Sequence, residues 1–287
     1  MTTTVILLIA LALFFDFLNG FHDSANVVAT MISSRAMSGK AALMLAAVAN
    51  LVGPFLFGVA VAHTVGNEVA VSEHITITVV VAALLSASIW NIVTWYFGIP
   101  ASSSHGLIGG IIGAVIVGSG PAAIKMAGIW KIIIALLASP VIGFTVGWLM
   151  MLLIRRVLKN ASPKADSALK YGQIPTAIAL ALSHGTNDAQ KTMGVITMGL
   201  VVLGFQKEFV VHWWVILISA VAIGVGTALG GWRIIHTLGG KFYRIRPIHS
   251  FTSQFASAVV ILTSSFLGGP VSTTQVVSMS IMGAGAG

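Results

Sequence analysis

The chain has 287 residues, of which 57% are hydrophobic and only 8% charged, with a mean hydropathy of +0.99. Soluble domains carry about 25% charged residues, so this composition excludes a soluble globular protein and implies an integral membrane protein in a lipid bilayer. No cysteine is present, which removes disulfide and thiolate chemistry, and the formal charge of +8 reads as loop bias rather than a nucleic-acid-binding patch.

The first element opens as MTTTVILLIALALFF. It has no basic leader and no small-residue cleavage site, so it is read as a membrane segment over 4–35 rather than a signal peptide. Within it sits a polar knot, NGFHDSANVV (19–28), so the segment is expected to break there. Segments over 40–63, 74–97, 102–119 and 128–154 follow, then 172–203, 210–234, 248–267 and 271–287. Several approach the roughly 20 apolar residues that cross a bilayer.

Loop charges orient this path. Arg155, Arg156, Lys159, Lys164 and Lys170 cluster in one loop, Arg233, Lys241, Arg244 and Arg246 in another, and Arg35 with Lys40 in a third. The positive-inside rule makes all three cytoplasmic. The loop near Gly66 carries Glu68 and Glu73 and is placed outside. Lys125, Lys131 and Lys207 then fall outside, against the rule.

Two motifs recur. The first knot returns as LSHGTNDAQK (182–191), offset by 188 − 23 = 165. GIPASSSHGLIGGIIGA (98–114) returns as GGPVSTTQVVSMSIMGA (268–284), offset by 270 − 100 = 170. The second knot lies five segments after the first, and an odd step inverts the second copy. Inverted repeats with interrupted helices and a midplane site mark secondary transporters. The expected fold is therefore an all-α polytopic membrane protein of two inverted repeats of about five segments, with broken helices at the midplane. The repeats are placed at 1–155 and 172–287, joined by a cytoplasmic basic linker at 156–171. The second copy has no counterpart to 128–154, so a final segment is expected beyond this sequence.

The motifs carry the chemistry. Asp16, Asp23 and Asp188 lie at membrane depth, where a carboxylate costs several kcal/mol, roughly 3, unless paired or solvated. Asp23 with Asn26, and Asn187 with Asp188, supply hard oxygen ligands suited to Na⁺ beside carbonyls of unwound backbone, and either Asp suits a proton equally. Lys191 follows Asp188 by three residues, placed either to neutralise it or to face an anion. Pro100 and Pro270 interrupt their segments, and each precedes a hydroxyl cluster: Ser102, Ser103 and Ser104, then Ser272, Thr273 and Thr274. Hydroxyl-capped helix N-termini offer free N–H groups to an oxyanion. His22, His105 and His184 read equally as structural or proton-carrying. The tracts Gly109, Gly110, Gly113 and Gly224, Gly226, Gly230, Gly231 are expected to allow close helix packing.

NGFHDSANVVAT, WYFGIPASSSHGLIGG, SHGTNDAQKTMG and GGPVSTTQVVS, in this order, resemble the signature stretches of the inorganic phosphate transporter (PiT) family, especially its bacterial low-affinity members. The resemblance implies symport of inorganic phosphate with a cation, Na⁺ or H⁺, in the cytoplasmic (inner) membrane, with no catalysis and no cofactor. It implies cation coupling at Asp23, Asn26, Asn187 and Asp188, which would be the Na⁺ site if sodium is the ion. It implies phosphate contacts at Ser102, Ser103, Ser104, Ser272, Thr273 and Thr274, with His105, Gln275 and Lys191 as further candidates. Gln275 stands where the family pattern has His. A homodimer is compatible with the sequence. The competing readings are symport of a related oxyanion or of a metal–phosphate complex and, more distantly, an intramembrane serine hydrolase using the 102–104 cluster with His105 or His22.

Overall fold

A computed structural model describes residues 2–69, 75–162, 164–240 and 245–287. Glu73, Lys241 and Arg244, counted among the loop charges, lie outside the described residues, as does the side chain of Lys164. The chain is helical almost throughout: α1 (Thr2–Ser33), α2 (Gly39–Val52), α3 (Ala60–Asn67), α4 (Ile77–Phe97), α5 (Ser103–Ser119), α6 (Met126–Val157), α7 (Lys164–Val202), α8 (Trp213–Leu229), α9 (Trp232–Gly240), α10 (Pro247–Phe266) and α11 (Thr273–Ala286). Among the described residues, α1, α4 and α6 are long and apolar enough to cross a membrane alone. Two bent pairs, α2–α3 at 76° and α8–α9 at 69°, would each complete a further span.

The breaks are not where the sequence suggested for the knot helices. Both α1 and α7 run unbroken through their knots. At 1.5 Å per residue, the 39 residues of α7 reach about 58 Å, well beyond a bilayer core of ~30 Å. His22, Asp23, Asn26, Asn187 and Lys191 find partners on other elements, whereas the side chain of Asn19 is buried without one among the described residues. Interruptions fall instead at the α2–α3 and α8–α9 bends and ahead of the two hydroxyl clusters. There α4 stops at Phe97 and α10 at Phe266, before Pro100 and Pro270, as the steric demand of proline on its predecessor requires.

Backbone geometry repeats with the sequence. Positive φ occurs at Arg35 and Gly204, at Gly58 and Gly230, and at Gly98 and Gly268. These pairs are offset by 204 − 35 = 169, 230 − 58 = 172 and 268 − 98 = 170 residues. In the third pair the left-handed residue turns the chain between α4 and α5 and between α10 and α11, which makes each couple an antiparallel hairpin. Whether a hairpin crosses twice or enters and leaves by one face, the parity that inverts the second repeat is unchanged.

Two apolar clusters flank the knots. One takes Leu8, Ala12 and Phe15 from α1 but Ala189, Met193 and Ile196 from α7. The other takes Ala25, Val28 and Met31 from α1 but Ala177, Leu180 and Ala181 from α7. The N-terminal part of one knot helix thus shares a cluster with the C-terminal part of the other, so α1 and α7 run antiparallel and their polar stretches form one layer between two oily ones. Lys131 and Lys125, which break the positive-inside pattern, are tied to the acidic end of α3. Lys131 Nζ lies 3.0 Å from Glu68 Oε2, and Lys125 Nζ donates to the Asn67 carbonyl at 2.8 Å.

Close packing of α1 on α8 depends on glycine. A Cβ at Gly226 would stand 2.9 Å from Phe21 N and 3.0 Å from the Phe17 carbonyl carbon, whereas one at Gly113 would meet nothing within 4 Å. The glycines of the second tract therefore pack as expected at Gly226, while Gly109 and Gly113 face open space. Overpacking of this kind costs about 1–3 kcal/mol. Gly226→Ala is expected to lower the melting temperature of the detergent-solubilised protein by several degrees, with Gly113→Ala close to unchanged in the same scan.

Candidate functional site

The site is assembled by four elements. Helices α1 and α7 each present a row of side chains at i, i+3, i+4 and i+7, which share one helical face: Asn19, His22, Asp23 and Asn26, and His184, Asn187, Asp188 and Lys191. The turns of the two hairpins close on these rows. Ser102 Oγ accepts the N–H of His105 at 3.1 Å and Ser272 Oγ that of Gln275 at 3.3 Å, so each serine caps the helix that carries its cluster. This aims the next two hydroxyls of each cluster at the centre.

Asp23 is 1% exposed and Asp188 fully buried. Ser103 donates to Asp23 Oδ2 at 3.1 Å. Thr273 lies 3.3 Å from Asp23 Oδ2 and 3.2 Å from Asp188 Oδ2. Its hydroxyl has a single proton, so it serves one carboxylate at a time. Thr274 lies 3.2 Å from both Asp23 Oδ1 and the Ala101 carbonyl, and Asn26 Nδ2 donates to its oxygen at 3.0 Å. Lys191 Nζ donates to Asp188 Oδ1 at 2.5 Å, Ser104 Oγ at 2.6 Å and the Val271 carbonyl at 3.2 Å. Ser104 in turn donates to the Val271 carbonyl at 2.8 Å. Each hairpin turn is therefore bonded to the turn of the other repeat. The unwound backbone expected in the knots is supplied instead by these turns, through the carbonyls of Ala101 and Val271.

Imidazoles hold both carboxylates from behind. His22 places Nδ1 2.7 Å from Asp23 Oδ1 and Nε2 3.1 Å from Thr94 Oγ1. His184 places Nε2 3.1 Å from Asp188 Oδ2, out of hydrogen-bond line, and Nδ1 3.1 Å from Asn50 Oδ1. Asn50 is anchored by its 2.8 Å bond to Thr227. One ligand atom each from Asp23, His184 and Asp188 lie within 4.8 Å of one another, close enough to share a small cation.

Of the predicted residues, Asp23, Asn26, Asp188, Lys191, Ser103, Ser104, Thr273 and Thr274 converge. Asn187 sits in the same row but donates to Ser265 Oγ at 2.8 Å and the Gly269 carbonyl at 3.3 Å, leaving its own oxygen without a partner among the described residues. Ser102 and Ser272 act as caps. His105 is half-buried on a groove of about 470 Å³ shared with Ser86 and Trp90, and no hydrogen bond joins it to either Asp. Gln275 is half-buried, its carbonyl oxygen likewise unpartnered. Asp16 shares the face of Asp23, as an unbroken helix requires, and both its oxygens lack a hydrogen bond of normal geometry among the described residues.

The sequence did not reveal several partners. Thr94 and Asn50 had no motif to mark them. His184 was noted only as one of three ambiguous histidines, although its i, i+4 spacing to Asp188 was a usable signal. Ser24 and Gln190 prove to be caps for the other repeat. Ser24 Oγ accepts the N–H of Gly231 at 2.9 Å, at the start of α9, and Gln190 Oε1 accepts that of Val61 at 2.8 Å, in the first turn of α3. The arrangement also disfavours hydrolysis, because Asp23 lies between the Ser103 hydroxyl and the His22 imidazole. A base that never touches the nucleophile cannot take its proton.

Comparison with known proteins agrees with this geometry. The description "Phosphate transporter family" matches residues 19–287. A probable low-affinity inorganic phosphate transporter of Bacillus subtilis is 43% identical over 98% of this chain and 85% of its own length. A relative with the same description from Rhizobium meliloti is 43% identical over 97% of this chain and 84% of its own length. A solved structure described as "The sodium-dependent phosphate transporter" superposes with a TM-score of 0.91, covering 99% of this chain and 90% of that one at 22% identity. With the duplicated motifs joined in one buried layer of an inverted-repeat helical membrane protein, these matches place the chain in the phosphate transporter family.

Proposed function

We propose that this chain moves inorganic phosphate together with a cation, Na⁺ or H⁺, across the cytoplasmic membrane by alternating access. Membership of a transporter family sets the serine-hydrolase reading aside. The observation that carries the proposal is that hydroxyls of both repeats, Ser103, Thr273 and Thr274, lie within hydrogen-bond reach of Asp23, and Thr273 also of Asp188. Each hydroxyl has one proton to give. Turned toward a phosphate oxygen, they leave the carboxylates short of donors, and hydrogen bonds to charged groups are worth about 1.5–3 kcal/mol each. A cation restores the balance at Asp23 and also offsets the charge of the incoming phosphate. Each ligand thereby lowers the cost of binding the other, which is a reciprocal coupling.

In this reading Asp23, Asn26, Asn187 and Asp188 form the cation side, and Ser103, Ser104, Thr273 and Thr274 the phosphate side. Ser102 and Ser272 hold the helix N-termini that supply further N–H donors. The repeats 1–155 and 172–287 exchange access by repacking around the crossed hairpin turns, with the basic 156–171 stretch on the cytoplasmic face. The structural neighbour is described as sodium-dependent, which makes Na⁺ the first gradient to impose. In proteoliposomes, radiolabelled phosphate is expected to accumulate above equilibrium under an inward Na⁺ or H⁺ gradient and not under neither. Sulfate or arsenate at a concentration equal to that of phosphate tests the anion, since a tetrahedral competitor that blocks uptake under that condition assigns the site to oxyanions more broadly. Uptake indifferent to both gradients would refute coupling.

A further inference from the structure

The two rows of the site can be laid over one another position by position. Asn19, His22, Asp23 and Asn26 become His184, Asn187, Asp188 and Lys191 at a constant offset (184 − 19, 187 − 22, 188 − 23 and 191 − 26 all equal 165). The contacts follow the same correspondence. Asn26 Nδ2 donates across to Thr274 at 3.0 Å, and Lys191 Nζ donates across to Ser104 at 2.6 Å. Thr274 reaches the Ala101 carbonyl at 3.2 Å, and Ser104 the Val271 carbonyl at 2.8 Å. Thr274 and Ser104 are themselves equivalent (274 − 104 = 170), as are Val271 and Ala101 (271 − 101 = 170). Lys191 therefore stands in the second row where Asn26 stands in the first.

The histidines exchange places between the rows, His22 aligning with Asn187 and His184 with Asn19, so each carboxylate keeps one imidazole beside it, and the difference that remains is charge. An asparagine leaves Asp23 with the His22 imidazole, 2.7 Å away, as its nearest basic group. Its polar neighbours are His22, Ser103, Thr273 and Thr274, and no Lys or Arg reaches it among the described residues. In the other row the ammonium of Lys191 sits directly on Asp188, fully buried. Its three donors have three acceptors: Asp188, Ser104 and the Val271 carbonyl. A lysine ammonium is a compact point charge on a flexible stem, and here its contacts are the oxygen ligands a free monovalent ion would need. We infer that Lys191 is a tethered cation that permanently takes the place of a second exchangeable one. Only the Asp23 row then takes up a free monovalent cation in each cycle. The inference rests on the symport reading above and specifies its stoichiometry, which would be one cation for each phosphate.

The test is the cation:phosphate ratio, read in proteoliposomes from the opposing phosphate gradient that stops net flux under a fixed cation gradient, with the pH fixed and the membrane potential held at zero. The expected ratio is one for the unsubstituted chain, and one more for Lys191→Asn assayed in Na⁺, because the variant restores a second exchangeable site. A ratio of two in the unsubstituted chain overturns the inference without any variant. A Lys191→Asn protein that transports with an unchanged ratio overturns it too. That includes a variant in which only the half-saturating phosphate concentration rises, the result expected of a lysine that holds phosphate. If Lys191→Asn is not recovered folded, the mirror variant Asn26→Lys decides. A tethered ammonium at Asp23 should reduce the cation dependence of phosphate flux at least tenfold while phosphate exchange persists, and retained dependence overturns the inference. Absence of gradient-driven uptake in the unsubstituted chain would instead defeat the symport reading itself.

Discussion

Asp23→Asn is expected to reduce cation-driven phosphate uptake by about a hundredfold, with equilibrium phosphate binding no longer strengthened by the cation. Asp23 receives Ser103, Thr273 and Thr274 from the two hairpin turns and His22 from its own helix. An asparagine keeps the shape and one acceptor but carries no charge to hold a cation. Losing one or two charge-assisted contacts of about 1.5–3 kcal/mol amounts to roughly two orders of magnitude, since about 1.4 kcal/mol is tenfold. The variant also removes one of the two carboxylates that compete for the Thr273 proton, so phosphate can still find hydroxyl donors. The distinguishing result is therefore lost coupling with residual binding, read by uptake in proteoliposomes beside radiolabelled phosphate binding with and without cation. Uptake that keeps its cation dependence in Asp23→Asn would remove this residue from the cation site.

Lys191→Met should act on the fold before it acts on transport. It leaves Asp188 buried without its ammonium and strips one donor each from Ser104 and the Val271 carbonyl. Removing one partner of a buried pair costs about 3–5 kcal/mol, a large share of the net stability of a domain. The expected outcome is poor recovery of monodisperse protein and a melting temperature many degrees lower. Adding Asp188→Asn should restore much of the loss, because the stranded charge is then gone, and coupling between touching residues of this kind runs to about 0.5–3 kcal/mol. If the double variant is no more stable than Lys191→Met alone, the lysine serves a purpose other than matching Asp188.

The sequence was most informative where its pattern had a physical cause that one helix or one motif could express. Duplicated knots and duplicated Pro-hydroxyl clusters announced the inverted repeats, and the charge rarity of a membrane interior singled out Asp23 and Asp188. It misled where partners lie far along the chain. Polar residues in an apolar helix looked like a helix break, because the bonds that satisfy them, such as Ser103 to Asp23 across 80 residues and Asn26 to Thr274 across 248, cannot be seen in a local window. Ser24 and Gln190 had no signal in the sequence to single them out, and are caps on helices of the opposite repeat.

Composition and repetition thus determined on their own that the chain is a helical membrane protein built from two inverted halves with polar motifs at its centre, since transfer energetics and periodicity depend only on residue order. The tertiary structure alone decided which of those motif residues meet. It turned Ser102 and Ser272 into caps, left the side chains of His105 and Gln275 outside the hydrogen-bonded cluster, brought His184, Asn50 and Thr94 into it, and placed the Lys191 ammonium on one carboxylate and none on the other. A hydrogen bond or ion pair requires contact at about 3 Å, and that distance is set by how antiparallel helices and crossed hairpins pack, not by spacing along the chain.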